Sequence, residues 1–201
     1  RAIDYTNNPT VICRIENMTA INSALQVDLT GQATAESLGK TFYSGIGGQA
    51  GFMRGAIMAP GGKTILALAS TAEHGKVSRL VPFLSEGAGA TLIRGDIHYL
   101  VTEYGIAYLH GKNIRERAMD IISIAHPKFR PWLVEEAKKN GLIYHDQAFI
   151  PGKRGEYPEN LEIHRTTKIG TDVFLRPVKI SDEPLLKDFF YSLSDESIYR
   201  R

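Results

Sequence analysis

The chain holds one cysteine, Cys13, so no disulfide can form within it. A lone thiol in an apolar run fits a reducing compartment, hence the cytoplasm. It reads as a small buried hydrophobe rather than a nucleophile. Long apolar runs are also missing: none reaches the roughly 18 residues that span a bilayer. The first residues lack the pattern of a secretory signal. Excess charge is absent too. Against 24 Lys and Arg stand 22 Asp and Glu, a formal net charge of +2, which excludes nucleic-acid binding driven by bulk charge. Internal repeats and low-complexity tracts do not occur. His98, His110, His126, His145 and His164 are scattered without ligand spacing to another His, Cys or acidic pair, so no metal site is expected.

What is present is an ordinary globular composition, 43% hydrophobic and 23% charged over 201 residues. That suffices for one domain and part of a second. The chain starts at Arg1 rather than Met and stops at Arg200-Arg201 within what reads as a structured segment, so a fragment of a longer protein is expected. Two basic clusters, Lys112-Arg115-Arg117 and Lys153-Arg154, read as solvated faces.

The chain is organised around the stretch from Phe42 to Gly55, where Gly45, Gly47, Gly48, Gly51 and Gly55 lie among apolar residues. Gly45, Gly47 and Gly48 predict a tight loop. Gln49 to Met58 predicts a helix with Gly51 and Gly55 on one smooth face. A glycine loop that opens a helix presents unpaired N–H groups and a positive dipole end to phosphate or an oxyanion. The same pattern also suits a tight turn with close helix–strand packing.

Around this stretch, Thr10 to Ile15, Ile21 to Asp28, Thr64 to Ala69, Lys76 to Val81, Thr91 to Arg94 and His98 to Thr102 read as strands. Thr30-Gly31-Gln32 is a turn, and Ala33 to Gly39 a short polar helix or loop. Asn113 to Ala125 carries the helical stripe Ile114, Ala118, Ile121, Ile122 and Ala125, closed by Pro127. A second helix runs from Pro131 to Gly141, with Glu135 and Lys139 spaced to pair. The sum is an α/β domain over 1–150 with a mixed or parallel open sheet flanked by helices. A polar linker over 151–170 follows. The tail, 171–201, offers a strand from Val173 to Val178 with edge-type Pro177. Ser181 could then cap a helix bearing Leu185, Leu186, Phe189, Phe190 and Leu193, an incomplete second unit.

Three segments in order carry a resemblance: Ile21-Asn22-Ser23-Ala24-Leu25-Gln26-Val27-Asp28-Leu29-Thr30-Gly31-Gln32, Ser44-Gly45-Ile46-Gly47-Gly48-Gln49, and Val101-Thr102-Glu103-Tyr104-Gly105-Ile106-Ala107 with its sequel Asn113 to Ala118. Over about residues 5 to 150 the chain resembles the C-terminal domain of the acetyl-CoA hydrolase/transferase family, with its CoA-transferase-like fold. The tail from Phe174-Leu175-Arg176-Pro177 resembles the truncated opening of a GNAT-type acetyltransferase, without that family's pyrophosphate loop.

The resemblance implies transfer of CoA between an acyl-CoA and an acetate-like carboxylate through a glutamyl-CoA thioester. The family's nucleophilic glutamate lies upstream of the Ile21–Asp28 match, so no catalytic residue is assigned; Glu16 and Glu103 are not substitutes by resemblance. CoA contact is what carries over. Ser44 and Gly48 match touching positions, Gly45 and Gly47 shape the loop, and Ala24 matches a backbone contact. Where the family often has a CoA-touching lysine this chain has Glu73, with Lys76 as the displaced substitute. Where it usually has Asp after Gly-Gly-Gln-x, the chain has Gly51. The resemblance implies no tightly bound cofactor, with CoA or acetyl-CoA as substrate. The implied partners are an acyl-CoA, a small carboxylate and an N-terminal domain of the same protein, with a homodimer as an option and no membrane. The competing reading from another class is an inactive CoA-binding platform for a fused GNAT enzyme. A Rossmann unit fits less well, because the loop is Gly-x-Gly-Gly and no acidic residue stands about 20 residues on.

Overall fold

The computed structural model describes residues 1–147, 161–177, 185, 188, 189 and 192–194. The chain divides into two units, Arg1–Ile150 and Pro151–Arg201. The first unit opens with short helices α1 (Ile3–Thr6) and α2 (Pro9–Ile12), then strands β1 (Thr19–Asn22), β2 (Gln26–Asp28), β3 (Ala33–Thr34), β4 (Ser37–Leu38) and β5 (Thr41–Phe42). Helix α3 (Gln49–Met58) leads to β6 (Lys63–Ala67), β7 (Thr71–Ala72), β8 (Val77–Ser78), β9 (Leu80–Val81), β10 (Tyr99–Thr102) and β11 (Gly105–Tyr108). Helix α4 (Ile114–Ser123), a 3-10 turn at Pro127–Phe129 and helix α5 (Arg130–Lys139) complete it.

The main sheet has the order β1-β6-β10-β11. β6 runs parallel to both β1 and β10, and β11 returns antiparallel. This is the mixed sheet expected of the sequence. A smaller sheet, β3-β2-β9, lies beside it. One hydrophobic core joins them. Ala20, Leu66, Leu100 and Ala107 meet Met53 and Ala56 of α3 and Ala118, Ile121 and Ile122 of α4. Helix α4 starts on a full capping box: Asn113 accepts from the Glu116 amide at 3.0 Å, and the Glu116 carboxylate accepts from the Asn113 amide at 2.9 Å.

Several local expectations are corrected. Thr10 to Ile15 is no strand. Asn8 caps α2 by accepting from the Thr10 amide at 3.0 Å, with Pro9 at the first helical position. That start signal overrides the β-branched content. Ile21 to Asp28 is split at Ser23–Leu25 into β1 and β2, which enter different sheets. Ala33 to Gly39 contributes β3 and β4 rather than a helix. Thr91 to Arg94 forms only an isolated bridge, Leu92 to Ala33. β11 was not expected. Lys139 pairs with Glu136 at 3.6 Å, not with Glu135.

The basic trio near α4 is not a solvated face. Arg117 is buried, Lys112 pairs with Asp120, and Arg115 lies 5.1 Å from the Tyr144 ring centre. Cys13 is half-buried, and its thiol donates to the Thr10 carbonyl oxygen at 3.3 Å.

In the second unit, β12 (Ile163–Thr166) and β13 (Asp172–Leu175) form an antiparallel hairpin. β12 falls in the stretch read as linker, and β13 ends before Pro177, which corrects both expectations. Leu185 and Phe189 are exposed. Ser181, Leu186, Phe190, Val178, Lys153 and Arg154 lie outside the described residues. Among the described residues no helix is long and apolar enough to cross a membrane.

Candidate CoA-binding site

The parallel strands β1, β6 and β10 all end at one edge of the main sheet. The carboxyl ends of parallel strands are where open α/β sheets bind ligands. Three things converge there: the start of α3 after the glycine loop, the hairpin β7–β8 that continues from β6, and the β10–β11 turn.

The loop is built as its glycines require. Gly47 has φ +61°, a left-handed conformation that costs an L-residue about 1–2 kcal/mol. Gly48 occupies the position before α3 and carries no side chain to cap it. The amides of the first turn are therefore left for water or a ligand. Upstream, the Glu36 carbonyl oxygen accepts from the amides of Tyr43 at 2.8 Å and Ser44 at 3.3 Å. The Ser44 hydroxyl donates to the Gly45 carbonyl oxygen at 3.0 Å. Ser44, Gly45 and Gly47 are exposed, as are the flanking Phe42, Tyr43 and Ile46.

The start of α3 is tied to the end of β1. Gln49 Nε2 donates to the Ser23 carbonyl oxygen at 2.9 Å. This bond brings the loop to the segment that holds Ala24, which is itself buried in the core. Ser44, Gly45, Gly47, Gly48 and Ala24 thus share one neighbourhood. Lys76 lies on the exposed turn between β7 and β8, where Glu73, His74 and Gly75 take φ of +50°, +54° and +82°. Lys128 Nζ donates to the Gly75 carbonyl oxygen and ties this turn to the start of α5.

The absence of a side chain at Gly51 has a local cause. A β-carbon there would come 2.7 Å from the Asn7 carbonyl oxygen. Gly55 is pressed in the same way: a β-carbon would come 2.6 Å from Ile12 Cβ. The smooth face of α3 is therefore where the α1–α2 segment packs. Asn7, whose carboxamide faces Gly48, was not foreseen, since no spacing in the sequence links position 7 to position 48.

The other two motifs of the resemblance prove to be braces in this structure. Asp28 Oδ1 accepts from the Thr30 amide at 2.9 Å, the Thr30 hydroxyl at 2.7 Å and the Gln32 amide at 3.0 Å, and Oδ2 accepts from Gln32 Nε2 at 3.0 Å. At the β10–β11 turn, Glu103 accepts from the amide of buried Ser70 at 2.8 Å and from its hydroxyl. Burial pushes the Glu103 carboxyl up, but the Ser70 hydroxyl and amide, its own amide and nearby His126 outweigh this and hold it below its ordinary value. Thr102 Oγ1 donates to the Ile124 carbonyl oxygen at 2.6 Å. Glu103 therefore locks the ends of β6 and β10 together.

Residues 1–137 match the acetyl-CoA hydrolase/transferase C-terminal domain. The chain belongs to this family. It is 54% identical over 138 residues to the 4-hydroxybutyrate coenzyme A transferase of Clostridium kluyveri, covering 69% of this chain and 32% of that protein. It is 47% identical over 141 residues to the succinyl-CoA:cyclohexane-1-carboxylate CoA transferase of Geobacter metallireducens, covering 70% and 32% respectively. The crystal structure of RipA from Yersinia pestis superposes with a TM-score of 0.65 at 45% identity, over 70% of this chain and 31% of that one. The α/β, CoA-transferase-like fold is thereby established. The chain spans about a third of the length of these relatives.

Proposed function

We propose that this chain supplies the CoA-binding half of a CoA-transferase or acyl-CoA hydrolase. The observation that carries this reading is the uncapped start of α3, reached through left-handed Gly47 and side-chain-free Gly48 at the carboxyl edge of the parallel strands. Phosphate or thioester oxygens fit unpaired helix amides with a positive dipole behind them. Ser44 and the backbone at Ala24 border the same place. Lys76 is a solvent-side contact at most, reaching CoA phosphate from its separate hairpin.

In the reaction so proposed, a glutamate carboxylate oxygen, contributed from outside this chain, attacks the thioester carbonyl carbon. CoA leaves as thiolate and a mixed anhydride remains. The thiolate then attacks the glutamyl carbonyl, releasing the first carboxylate and leaving a glutamyl-CoA thioester. An acceptor carboxylate reverses these steps; water in its place gives hydrolysis. The α3 amides stabilise the oxyanions that form along the way. The names of the two relatives point to small organic carboxylates as acceptors. For the tail, 171–201, we propose the opening of a GNAT-like segment, with β13 as its first strand and the cytoplasm as the site of the whole. Domain limits of 1–150 and 171–201 follow from that reading, with the intervening 151–170 carrying β12, which pairs with β13.

Calorimetric titration of the 201-residue chain with CoA, beside a Gly48→Val variant, tests the reading. A binding isotherm that vanishes in the variant supports a preformed site. Equal binding by both proteins removes the loop from the site. Silence in both, repeated with the complete protein, overturns the enzyme reading and also the platform reading, since each needs CoA to bind.

A further inference from the structure

Among the described residues, two buried side-chain polar atoms have no hydrogen-bond partner: Glu36 Oε2 and His98 Nε2. Nearly all such atoms in folded proteins are bonded, and each exception calls for a water, an ion or a ligand. Beside the orphan nitrogen of His98 stands a second imidazole. The rings of His98 and His110 lie 4.4 Å apart, tilted by 57°. Their separation of 12 residues (110 minus 98) carries no ligand signature in the sequence. The β10–β11 hairpin, whose second strand was not expected, brings them together.

Both residues are held in place by their main chain. The His98 amide donates to Oγ1 of buried Thr64 at 2.8 Å. The His98 carbonyl oxygen accepts from the Leu109 amide at 2.7 Å, one step beyond the Tyr99–Tyr108 pair of the ladder. His110 follows at once, between fully buried Leu109 and left-handed Gly111, with φ +73°. Its ring is exposed, and the Tyr108 ring borders it at 6.3 Å. The pair lies at the start of β10, whereas the glycine loop lies at the edge where β10 ends.

Imidazole nitrogen is a favoured ligand of zinc, copper and nickel. Two imidazoles that share a zinc ion, each nitrogen about 2.0–2.1 Å from the metal, hold their ring centres about 4.5–5.2 Å apart at bond angles of about 90–110°. The observed 4.4 Å is within a small rotation of the exposed His110 ring from that arrangement. His98 Nε2 gives up no hydrogen bond when it ligates, because it has none. Among the described residues no third His, Cys, Asp or Glu completes a ligand set, so water fills the remaining positions.

We propose that His98 and His110 form a two-imidazole site for a borderline divalent metal ion of the zinc type, which clamps the open end of the β10–β11 hairpin. The proposal does not rest on the CoA reading of the glycine loop, so the two can fail separately.

Calorimetric titration of the 201-residue chain with zinc chloride, in a buffer free of chelators, tests the site. One ion per chain should bind. Loss of an outer-shell partner alone costs about 10–100-fold in metal affinity, so His110→Ala and His98→Gln should each weaken binding at least tenfold. His145→Ala, which changes an exposed histidine outside the pair, should leave it unchanged. A second measurement needs no variant: as zinc is added to the parent chain, the ring-nitrogen NMR signals of His98 and His110 should shift together, ahead of those of His74, His145 and His164. If His98→Gln does not fold, these shifts decide alone.

No zinc binding overturns the proposal and leaves the orphan nitrogen to a water. Binding that survives in both variants overturns it as adventitious zinc on other histidines. Binding lost in only one variant, or a shift of only one ring, overturns it as well, because the ion then rests on a single imidazole.

Discussion

The Asn7 carboxamide occupies the space that a β-carbon on Gly48 would need. The two residues lie 41 positions apart in sequence (48 minus 7), and they meet because the segment from Asn7 through α2 lies against α3. Gly48→Ala should therefore push Asn7 aside, at modest cost because the nearest atom is the end of a side chain that can swing. Asn7→Ala should relieve part of that cost, so the double variant loses less than the sum of the singles. A coupling of about 0.5–2 kcal/mol is expected from a double-mutant cycle in urea. Gly45→Ala, where a β-carbon meets nothing within 4 Å, should be nearly silent in the same assay.

A second glycine is fixed by a buried cation. Gly31 has φ +91°, and a β-carbon there would come 2.9 Å from Arg117 Nη1. Arg117 donates through Nε to the Lys112 carbonyl oxygen at 3.0 Å and through Nη1 to the Arg94 carbonyl oxygen at 2.7 Å. Burial, then the neighbouring Arg94, push its pKa down. Gly31→Ala should cost about 1–2 kcal/mol from backbone conformation alone. Displacement of the guanidinium adds to that. Arg117→Ala strands two carbonyl groups and should cost at least about 2 kcal/mol. Thermal unfolding of both variants checks this, and a change of Arg117 without effect would return it to the solvated face read from sequence.

These cases show which parts of the molecule its sequence displays. Helix α4 was legible because its apolar stripe and the proline that closes it are local signals. β6 and β10 were legible because each is a short apolar run. The glycine loop was legible because glycine at Gly47 answers a local backbone demand. Arg117 was misread because its burial depends on Gly31 and Arg94, far away in sequence. Asn7 was missed for the same reason. Thr10 to Ile15 was misread because β-branched composition was weighed above the Asn8-Pro9 start signal. The break at Ser23–Leu25 depends on which sheet each half joins, and no window of eight residues carries that choice.

Asp28 concentrates four hydrogen bonds on a side chain that is only 1% exposed with its residue. Asp28→Ala leaves the Thr30 and Gln32 amides of a tight turn without their acceptor. An amide deprived of its partner while buried costs about 1–3 kcal/mol. The turn also carries Thr30, whose hydroxyl oxygen accepts from Arg94 Nε at 2.9 Å, so the damage should spread toward Arg117. A loss of about 3 kcal/mol or more is expected in denaturant unfolding. Asp28→Asn should recover part of it, because its side-chain carbonyl still serves the Thr30 and Gln32 amides.

Glu103 gives the protein an acid-sensitive brace. Its carboxyl is held below the ordinary value in the folded state, so folding favours the charged form. Stability from this group is then fully present above the unfolded carboxylate pKa, and it is lost as pH falls through the lower folded value. Unfolding free energies measured from pH 7 down to about pH 3, below the usual carboxylate pKa of about 4.3, should therefore drop on the acid side. In Glu103→Gln that part of the drop should be missing. The amide oxygen still accepts from Ser70, but no proton is taken up. The variant should be less stable than the parent at neutral pH and approach it in acid. Parallel curves for the two proteins would mean that the Ser70 contact is indifferent to charge. The acid limb would then belong to other carboxylates.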